Sequence, residues 1–337
     1  MRSPDDMGPT VDRLEPGENV RAIYGVAGKR LRSFRDPSKG KFLELDVQDQ
    51  TGTIPGKIWS GAETMADIFS VGDVVWVTAR VDEYRGQAQL IIEDLERVDV
   101  EGIPMERFIP SAPRNLRDME EELWRYIESV GQPHLSQLLL VLFQQEQFYE
   151  RFTTSPAAKK VHHDYLHGLL EHSLEVVSIL TETSVNRPGL DDDLLVAGGL
   201  LHDVGKVREL ACGGCIDYTD EGRLVGHIVI GHEIISSAVE NIPDFPEGLA
   251  LHLRHILLSH HGKLEYGSPV LPQTREAVAV HHADLMSGKV GQVMSVGDRA
   301  GNAESGWSDY DRLLGRYIWI PPSSEVAATG EEADCET

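Results

Sequence analysis

The apolar residues of this chain change their period once, between about residue 100 and residue 118, and that change limits the folds open to it. Upstream, "FLELDVQD" alternates, "GTIPGKIW" follows a glycine turn, "DVVWVTARVDEY" is rich in β-branched and aromatic residues, and "AQLIIEDLERVD" follows an Arg-Gly turn. These are strand signals. Downstream, "MEEELWRYIESV", "HLSQLLLVLFQQEQFYERF", "YLHGLLEHSLEVVSILTET" and "GHIVIGHEIISSAVENI" repeat their apolar residues at spacings of three and four, as one face of a helix requires. Neither period can bury an apolar face in the other conformation, so a β unit must precede an α unit.

With "AIYGVAGKRLRSF" as the first strand and "ETMADIFSVGD" as a short helical connection, the β unit is expected to be a small barrel of the OB type. The fold class is multidomain α+β, an N-terminal OB-like β-barrel followed by an all-α helical bundle. The expected divisions are an N-terminal extension over 1–17, the barrel over 18–100, a proline-bearing linker over 101–117, the bundle over 118–320 and an acidic disordered tail over 321–337. Cys212 and Cys215 form a CxxC without a second such pair, in a glycine-rich stretch expected as a surface loop. No apolar run is long enough to cross a bilayer, and the N-terminus lacks the apolar region of a secretion signal, so a cytoplasmic location with no membrane partner is expected.

A formal charge of −24 argues against indiscriminate coating of nucleic acid, which depends on Lys and Arg neutralising phosphates. The charge is unevenly spread, however. "GKRLRSFRDPSKGK" at 28–41 is strongly basic, placing Arg30, Arg32, Phe34, Arg35, Lys39 and Lys41 in the expected loop between the first two strands. OB-folds bind single strands with loops at that position and with aromatic platforms on the sheet. Phe42 and Trp59 are also available, although barrel packing is the expected role of both.

The fourteen histidines lie between 134 and 282, several on apolar helix stripes. His172 borders the buried face of its helix, His227 shares a stripe with Gly231 and Ile234, His260 with Leu253, Ile256 and Leu257, and Asp284 with Val280 and Gly288. With His202 and Asp203, five helices each direct an imidazole or carboxylate inward. One alone would be a satisfied core residue. Together they point to divalent metal held by nitrogen and oxygen ligands, as helical bundles arrange it. An adjacent His202-Asp203 pair suits a carboxylate bridging two ions about 3.5 to 4 Å apart, a spacing that clamps the attacking and leaving oxygens of phosphoryl displacement. No thiolate falls in the set, which favours Mn²⁺, Fe²⁺, Ni²⁺ or Mg²⁺ over structural zinc.

His172, then His202-Asp203 followed by Gly205-Lys206, then Asp284, resembles the H…HD…D signature of the HD-domain phosphohydrolases. "GHIVIGHEII" resembles the helix carrying an added metal ligand in their binuclear members, which puts His227 in the ligand position. "LLSHHGKLEYGSP" resembles their next motif and offers His260 with His261 beside it. With "HHDYLHGLLEHSL", "LLHDVGKVREL" and the OB-like barrel, the chain is similar to the YhaM-type 3′-5′ exoribonucleases over about residues 18–320. The resemblance implies metal-dependent hydrolysis of single-stranded RNA, with single-stranded DNA as a second substrate, to nucleoside 5′-monophosphates. It implies two divalent ions, Mn²⁺ first and Fe²⁺, Ni²⁺, Co²⁺ or Mg²⁺ as alternatives. His172, His202, Asp203 and Asp284 would hold one ion, and Asp203, His227 and His260 the other. Asp203 and Lys206 are then the catalytic residues, Lys206 giving positive charge to phosphoryl oxygens.

His261 and His163 are candidates for further ligands or for groups behind the ligands. His162 and His163 could also orient a substrate phosphate or simply begin a helix, while His232 and His281 are expected behind the ligands or at the surface. Glu171, Glu233 and Asp164 are candidates to orient the ligating imidazoles. A homo-oligomer is compatible with the sequence. Two other readings stay open, an HD phosphohydrolase acting on a nucleotide or cyclic nucleotide, and a nucleic-acid-binding protein whose metal site is structural.

Overall fold

The first strand, β1 (Asn19–Ser33), is long enough to serve two neighbours. Its first half pairs antiparallel with β4 (Val74–Tyr84) and its second half with β2 (Lys41–Asp49), and the register shifts between Val26 and Gly28 where the strand changes partner. β3 (Gly52–Ile58) and β5 (Gln87–Val98) complete a closed barrel in the order β1-β2-β3-β5-β4. The connection from β3 to β4 carries α1 (Ala62–Ala66), and closure leaves β3 and β5 parallel. Alternation does what the sequence demanded of it: Leu43, Leu45 and Val47 of β2 face inward with Val20, Ala22 and Tyr24 of β1 and Val77, Ala79 and Val81 of β4. In this computed structural model residues 7–100, 102–300 and 306–321 are described, so all of the acidic tail beyond residue 321 lies outside them.

Residues 7–17, expected as an extension, lie against the barrel. Asp49, buried at the end of β2, accepts from the Val11 amide at 2.8 Å and pairs with Arg107 at 3.3 Å, while Arg107 also donates to the Gly8 carbonyl. Arg107 lies in the proline-bearing connection, where Phe108 and Ile109 are fully buried with Ile23, Val74, Leu166, Leu210 and Ile216.

The helical part begins with α2 (Leu116–Ser129), started by Asn115, whose side chain accepts from the Arg117 and Asp118 amides. The long helix expected over 134–152 is two, α3 (Pro133–Phe143) and α4 (Glu146–Thr154), because Gln145 takes an extended conformation and turns the chain. α5 (Gly168–Val185), α6 (Asp192–Leu201), the short α7 (Lys206–Glu209), α8 (Asp220–Leu224), α9 (His227–Glu240), α10 (Glu247–Ser259) and α11 (Arg275–Ala300) follow. Leu169, Leu174 and Val177 of α5, Leu195 and Leu200 of α6, Leu253 and Ile256 of α10 and Val280 of α11 share one core. No helix among the described residues is long and apolar enough to cross a membrane.

Among the described residues the departure from an all-α bundle is a hairpin, β6 (Leu210–Cys212) and β7 (Ile216–Tyr218). It also corrects the expectation for the CxxC, which is no free surface loop. Cys215 is buried, and the Gly213-Gly214 turn presses on the barrel, where Gly214 donates to the Gly72 carbonyl at 2.6 Å. A Cβ on Gly25 would stand 1.7 Å from the Gly214 carbonyl oxygen, so this approach requires glycine. Burial pushes the Cys212 thiol up to about 12, the state of an inert thiol rather than a reactive one.

Candidate functional site

Six side chains from six places in the bundle meet at one point. His172 comes from the second turn of α5, His202 caps the C-terminus of α6, His227 opens α9, His260 caps α10 and Asp284 lies within α11. Asp203 follows His202 in the tight turn between α6 and α7, so the pair does not sit on a helix as its sequence context suggested. The turn is held against α9 by Gly205, where a Cβ would stand 2.0 Å from the His227 carbonyl oxygen. That contact explains the glycine of the "HDVGK" stretch: it lets Asp203 and His227 approach.

Asp203 divides its two oxygens between two groups. Oδ2 lies 3.4 Å from His172 Nε2 and 3.5 Å from His202 Nε2, and Asp284 Oδ1 lies 3.3 Å from the same His172 nitrogen. Oδ1 lies 3.5 Å from both His227 Nε2 and His260 Nε2. Ligand atoms of His172, His202 and Asp284 form one set within 4.8 Å, and those of Asp203, His227, His260 and His261 another. His162 and His163 form a third with His172. His232 belongs to none of these sets.

Proton bookkeeping shows what the site lacks. Nδ1 of His202 lies 2.8 Å from the Gly199 carbonyl oxygen, that of His260 2.7 Å from Leu257 O, and that of His261 2.7 Å from Tyr266 O. A carbonyl only accepts, so each Nδ1 carries the proton and each neutral ring keeps a bare lone pair on Nε2. His227 Nδ1 faces Glu209 Oε1 at 2.9 Å, with the same result. For His172 the Ser287 hydroxyl decides: it donates to Glu175 Oε2 at 2.8 Å, so at 3.0 Å it must accept from His172 Nδ1. With the rings neutral, the Nε2 lone pairs of His172, His202, His227 and His260 thus converge on the oxygens of Asp203 and Asp284 with no ring proton among them. Asp203 Oδ1, His227 Nε2 and His260 Nε2 are buried without any hydrogen-bond partner. Orphaned acceptors of this kind fit cations.

The titration of these groups follows from the same arrangement. Burial disfavours a charged His172, but Asp203 and Asp284 outweigh it and hold its pKa up at about 9. His260, where burial dominates, is pushed down to about 4. Asp203 is itself held well below the usual carboxylate range against its burial, by Lys206 and the histidines. Lys206, expected to face phosphoryl oxygens, donates to Asp203 Oδ2 at 2.5 Å.

The partners that orient the imidazoles are not those anticipated. Glu171 accepts from the Tyr165 hydroxyl, Glu233 faces Arg208 and Asp164 is exposed. Glu209, Ser287 and Glu175 perform that role with backbone carbonyls. A helical spacing of three, from Asp284 to Ser287 and from His172 to Glu175, was the signal that could have found two of them. His163 pairs with Glu175 at 3.4 Å, and His281 donates to the His260 carbonyl at 2.7 Å.

On the barrel, the basic residues are differently placed from expectation. Arg30 and Arg32 lie on β1 rather than in a loop, because β1 and β2 continue past the barrel as a paired ribbon. Arg35 and Lys39 are in the connection and Lys41 starts β2. Arg32 pairs with Glu44 and Lys41 with Glu63, whereas Arg30, Arg35 and Lys39 make no ion pair among the described residues. Phe34, Phe42 and Trp59 pack together outside the barrel, with ring centroids 5.0 to 5.9 Å apart, and Trp59 is 43% exposed. Core packing was expected of Phe42 and Trp59; their places on the outward face of β2 and at the end of β3 rule it out. Lys57 and Tyr84, absent from the sequence reading, extend this surface, with the Lys57 ammonium 5.3 Å over the Trp59 ring and 5.2 Å over that of Tyr84.

Comparison with known proteins agrees with both parts. Residues 169–288 match the HD domain family and residues 26–98 a family described as OB-fold nucleic acid binding domain. A 3′-5′ exoribonuclease YhaM of Shouchella clausii (strain KSM-K16) is 38% identical over 272 residues, 80% of this chain and 82% of its own. That of Bacillus subtilis (strain 168) is 35% identical over 265 residues, 78% of this chain and 82% of its own.

Proposed function

The chain belongs to the YhaM family of 3′-5′ exoribonucleases, and from that membership we propose that it hydrolyses the 3′-terminal phosphodiester of single-stranded RNA, releasing nucleoside 5′-monophosphates. Single-stranded DNA is a second substrate of the same chemistry. The observation that carries this reading is the division of Asp203 between two sets of histidines, which suits one carboxylate shared by two cations.

The site would hold divalent ions, Mn²⁺ first among them, through His172, His202, Asp203 and Asp284 and through Asp203, His227 and His260. When bound, such ions polarise phosphoryl oxygens and lower the pKa of water. The chain's own residues supply the rest. Glu209, Ser287 and the carbonyls of Gly199 and Leu257 fix which imidazole nitrogen faces Asp203, so receiving a cation would require loss of the His172 Nε2 proton and no turning of a ring. Lys206 holds Asp203 and would give positive charge to phosphoryl oxygens at the site. The barrel grips the strand upstream: Arg30, Arg35 and Lys39 neutralise phosphates, and bases stack on Trp59, Phe34 and Phe42. These cations, close in sequence and without ion pairs among the described residues, give a locally basic segment in a chain whose net charge is −24.

A 5′-labelled oligoribonucleotide incubated with Mn²⁺ should shorten progressively from its 3′ end, and a duplexed 3′ end should resist. Release of the label as a mononucleotide at the earliest times would reject the direction.

A further inference from the structure

A cleft of about 810 Å³ adjoins the His and Asp cluster between α5, α11 and the start of α2. Its link to the cluster is direct: Ser287 and His163 both line it, Ser287 contacts His172 at 3.0 Å, and the His163 and His172 ring centroids are 5.4 Å apart. Its walls combine Leu174, Ile179, Met286, Val290 and Met294 with the carboxylates Glu122, Asp164, Glu171, Glu175 and Asp298. The cation lining it, Arg114, is already bound to Glu122 at 2.5 Å. His163 is 95% buried by its 5% exposure, and its Nδ1 has no hydrogen-bond partner.

A carboxylate-lined cleft beside a phosphate-processing centre poses an electrostatic question: what part of an anionic substrate would enter it? The scissile phosphate belongs with the cations. A terminal nucleoside beyond it offers an apolar base for the methionine and valine wall, and sugar hydroxyls that donate to carboxylates. A terminal phosphate would instead bring close to two negative charges and only acceptors. Glu175 is ionised in this setting, since its bonds to His163 and Ser287 outweigh the effect of burial.

We propose that this cleft receives the 3′-terminal nucleoside and that its carboxylates admit a 3′-hydroxyl end while rejecting a 3′-phosphate. The proposal rests on the exonuclease reading above and adds to it a requirement on the substrate's end. RNA ending in a 3′-phosphate would become a substrate only after another enzyme had hydrolysed that monoester, water leaving a 3′-hydroxyl and inorganic phosphate.

The test uses the full chain with Mn²⁺ and two 5′-labelled oligoribonucleotides that differ only in a 3′-hydroxyl or 3′-phosphate. Repulsion of a near-dianion by carboxylates at close range should slow the phosphate-ended strand about 100-fold or more. In Glu171→Gln and in Asp298→Asn the ratio of the two rates should narrow by about tenfold, and a ratio is insensitive to general loss of activity. Calorimetry gives a second readout, a nucleoside 3′,5′-bisphosphate binding the metal-loaded protein at least about tenfold more weakly than the 5′-monophosphate. Equal rates on the two strands, or equal binding of the two nucleotides, would overturn the proposal while leaving the exonuclease intact. If bis(p-nitrophenyl) phosphate is hydrolysed but neither strand is shortened, the exonuclease reading falls and this proposal with it.

Discussion

Ser287→Ala removes one hydroxyl, and it should weaken metal binding. Ser287 is 5% exposed, accepting from His172 Nδ1 at 3.0 Å and donating to Glu175 at 2.8 Å. Glu175 is 40% exposed and can turn to water, so its loss is small. His172 is 1% exposed and cannot. Its Nδ1–H would be left buried without an acceptor, a cost of about 1 to 3 kcal/mol. The ring escapes this by giving up its Nδ1 proton and keeping the one on Nε2, which Asp203 and Asp284 accept. That tautomer has no lone pair for a metal. Binding must then reverse the shift, which corresponds to roughly 10- to 100-fold lower affinity. Mn²⁺ titration by calorimetry would measure the change, and Ser287→Thr, which keeps the hydroxyl, should recover most of it. An alanine variant binding Mn²⁺ within twofold of the wild type would refute the reasoning, because the Ser287 bond would not be what holds the ring in its ligating form.

Three further outcomes follow from the same geometry. Asp203→Ala should abolish hydrolysis and reduce metal binding at both sets of ligands; it also leaves the partly buried Lys206 ammonium without its carboxylate, so the melting temperature should fall while the helical circular dichroism spectrum persists, and near wild-type turnover would reject the shared carboxylate. Metal affinity should depend on pH in two different ways. At the His172 set a proton with pKa near 9 competes, so affinity rises up to about tenfold per pH unit until about pH 9, whereas a proton on His260, with pKa near 4, does not compete above about pH 5; electron paramagnetic resonance titrations of Mn²⁺ at pH 7.5, 8.25 and 9 would resolve them, and equally steep curves for the two sets would contradict the assignment. Reversing Arg30, Arg35 and Lys39 to Glu should weaken long RNA and lower the slope of log affinity against log salt by about 2, from about 0.7 per phosphate, with a very short substrate little affected; equal losses on both would remove the barrel as the grip.

Much of this arrangement was legible because its causes are local in sequence. Strand alternation in "FLELDVQD" specifies which residues fill the barrel, and the structure puts Leu43, Leu45 and Val47 there. The His and Asp residues stood on apolar stripes, where a polar group has to be explained. What stayed hidden depends on contacts between distant segments. "CGGC" looks like a loop because nothing in it reveals that Gly25 lies opposite Gly214 and leaves room for the turn. Arg32 and Lys41 look as free as Arg30 until the fold brings Glu44 of β2 and Glu63 of α1 beside them.

The orientation of the imidazoles was hidden for a different reason. Three of the five Nδ1 atoms that set it are bonded to backbone carbonyls, of Gly199, Leu257 and Tyr266, and every residue has a carbonyl. Two of these bonds reach back three residues within a helix end, His202 to Gly199 and His260 to Leu257. The α6 and α10 C-termini have carbonyls there that no amide of their own helix satisfies, and a capping histidine satisfies one with Nδ1–H. The same bond therefore closes a helix and leaves Nε2 bare toward Asp203. It follows that placing a histidine at a helix C-cap on a buried face prepares a metal ligand without a dedicated orienting carboxylate. His172, inside α5 rather than at its end, has no free carbonyl to use, and that is why it alone among the buried ligands needs Ser287 and Glu175.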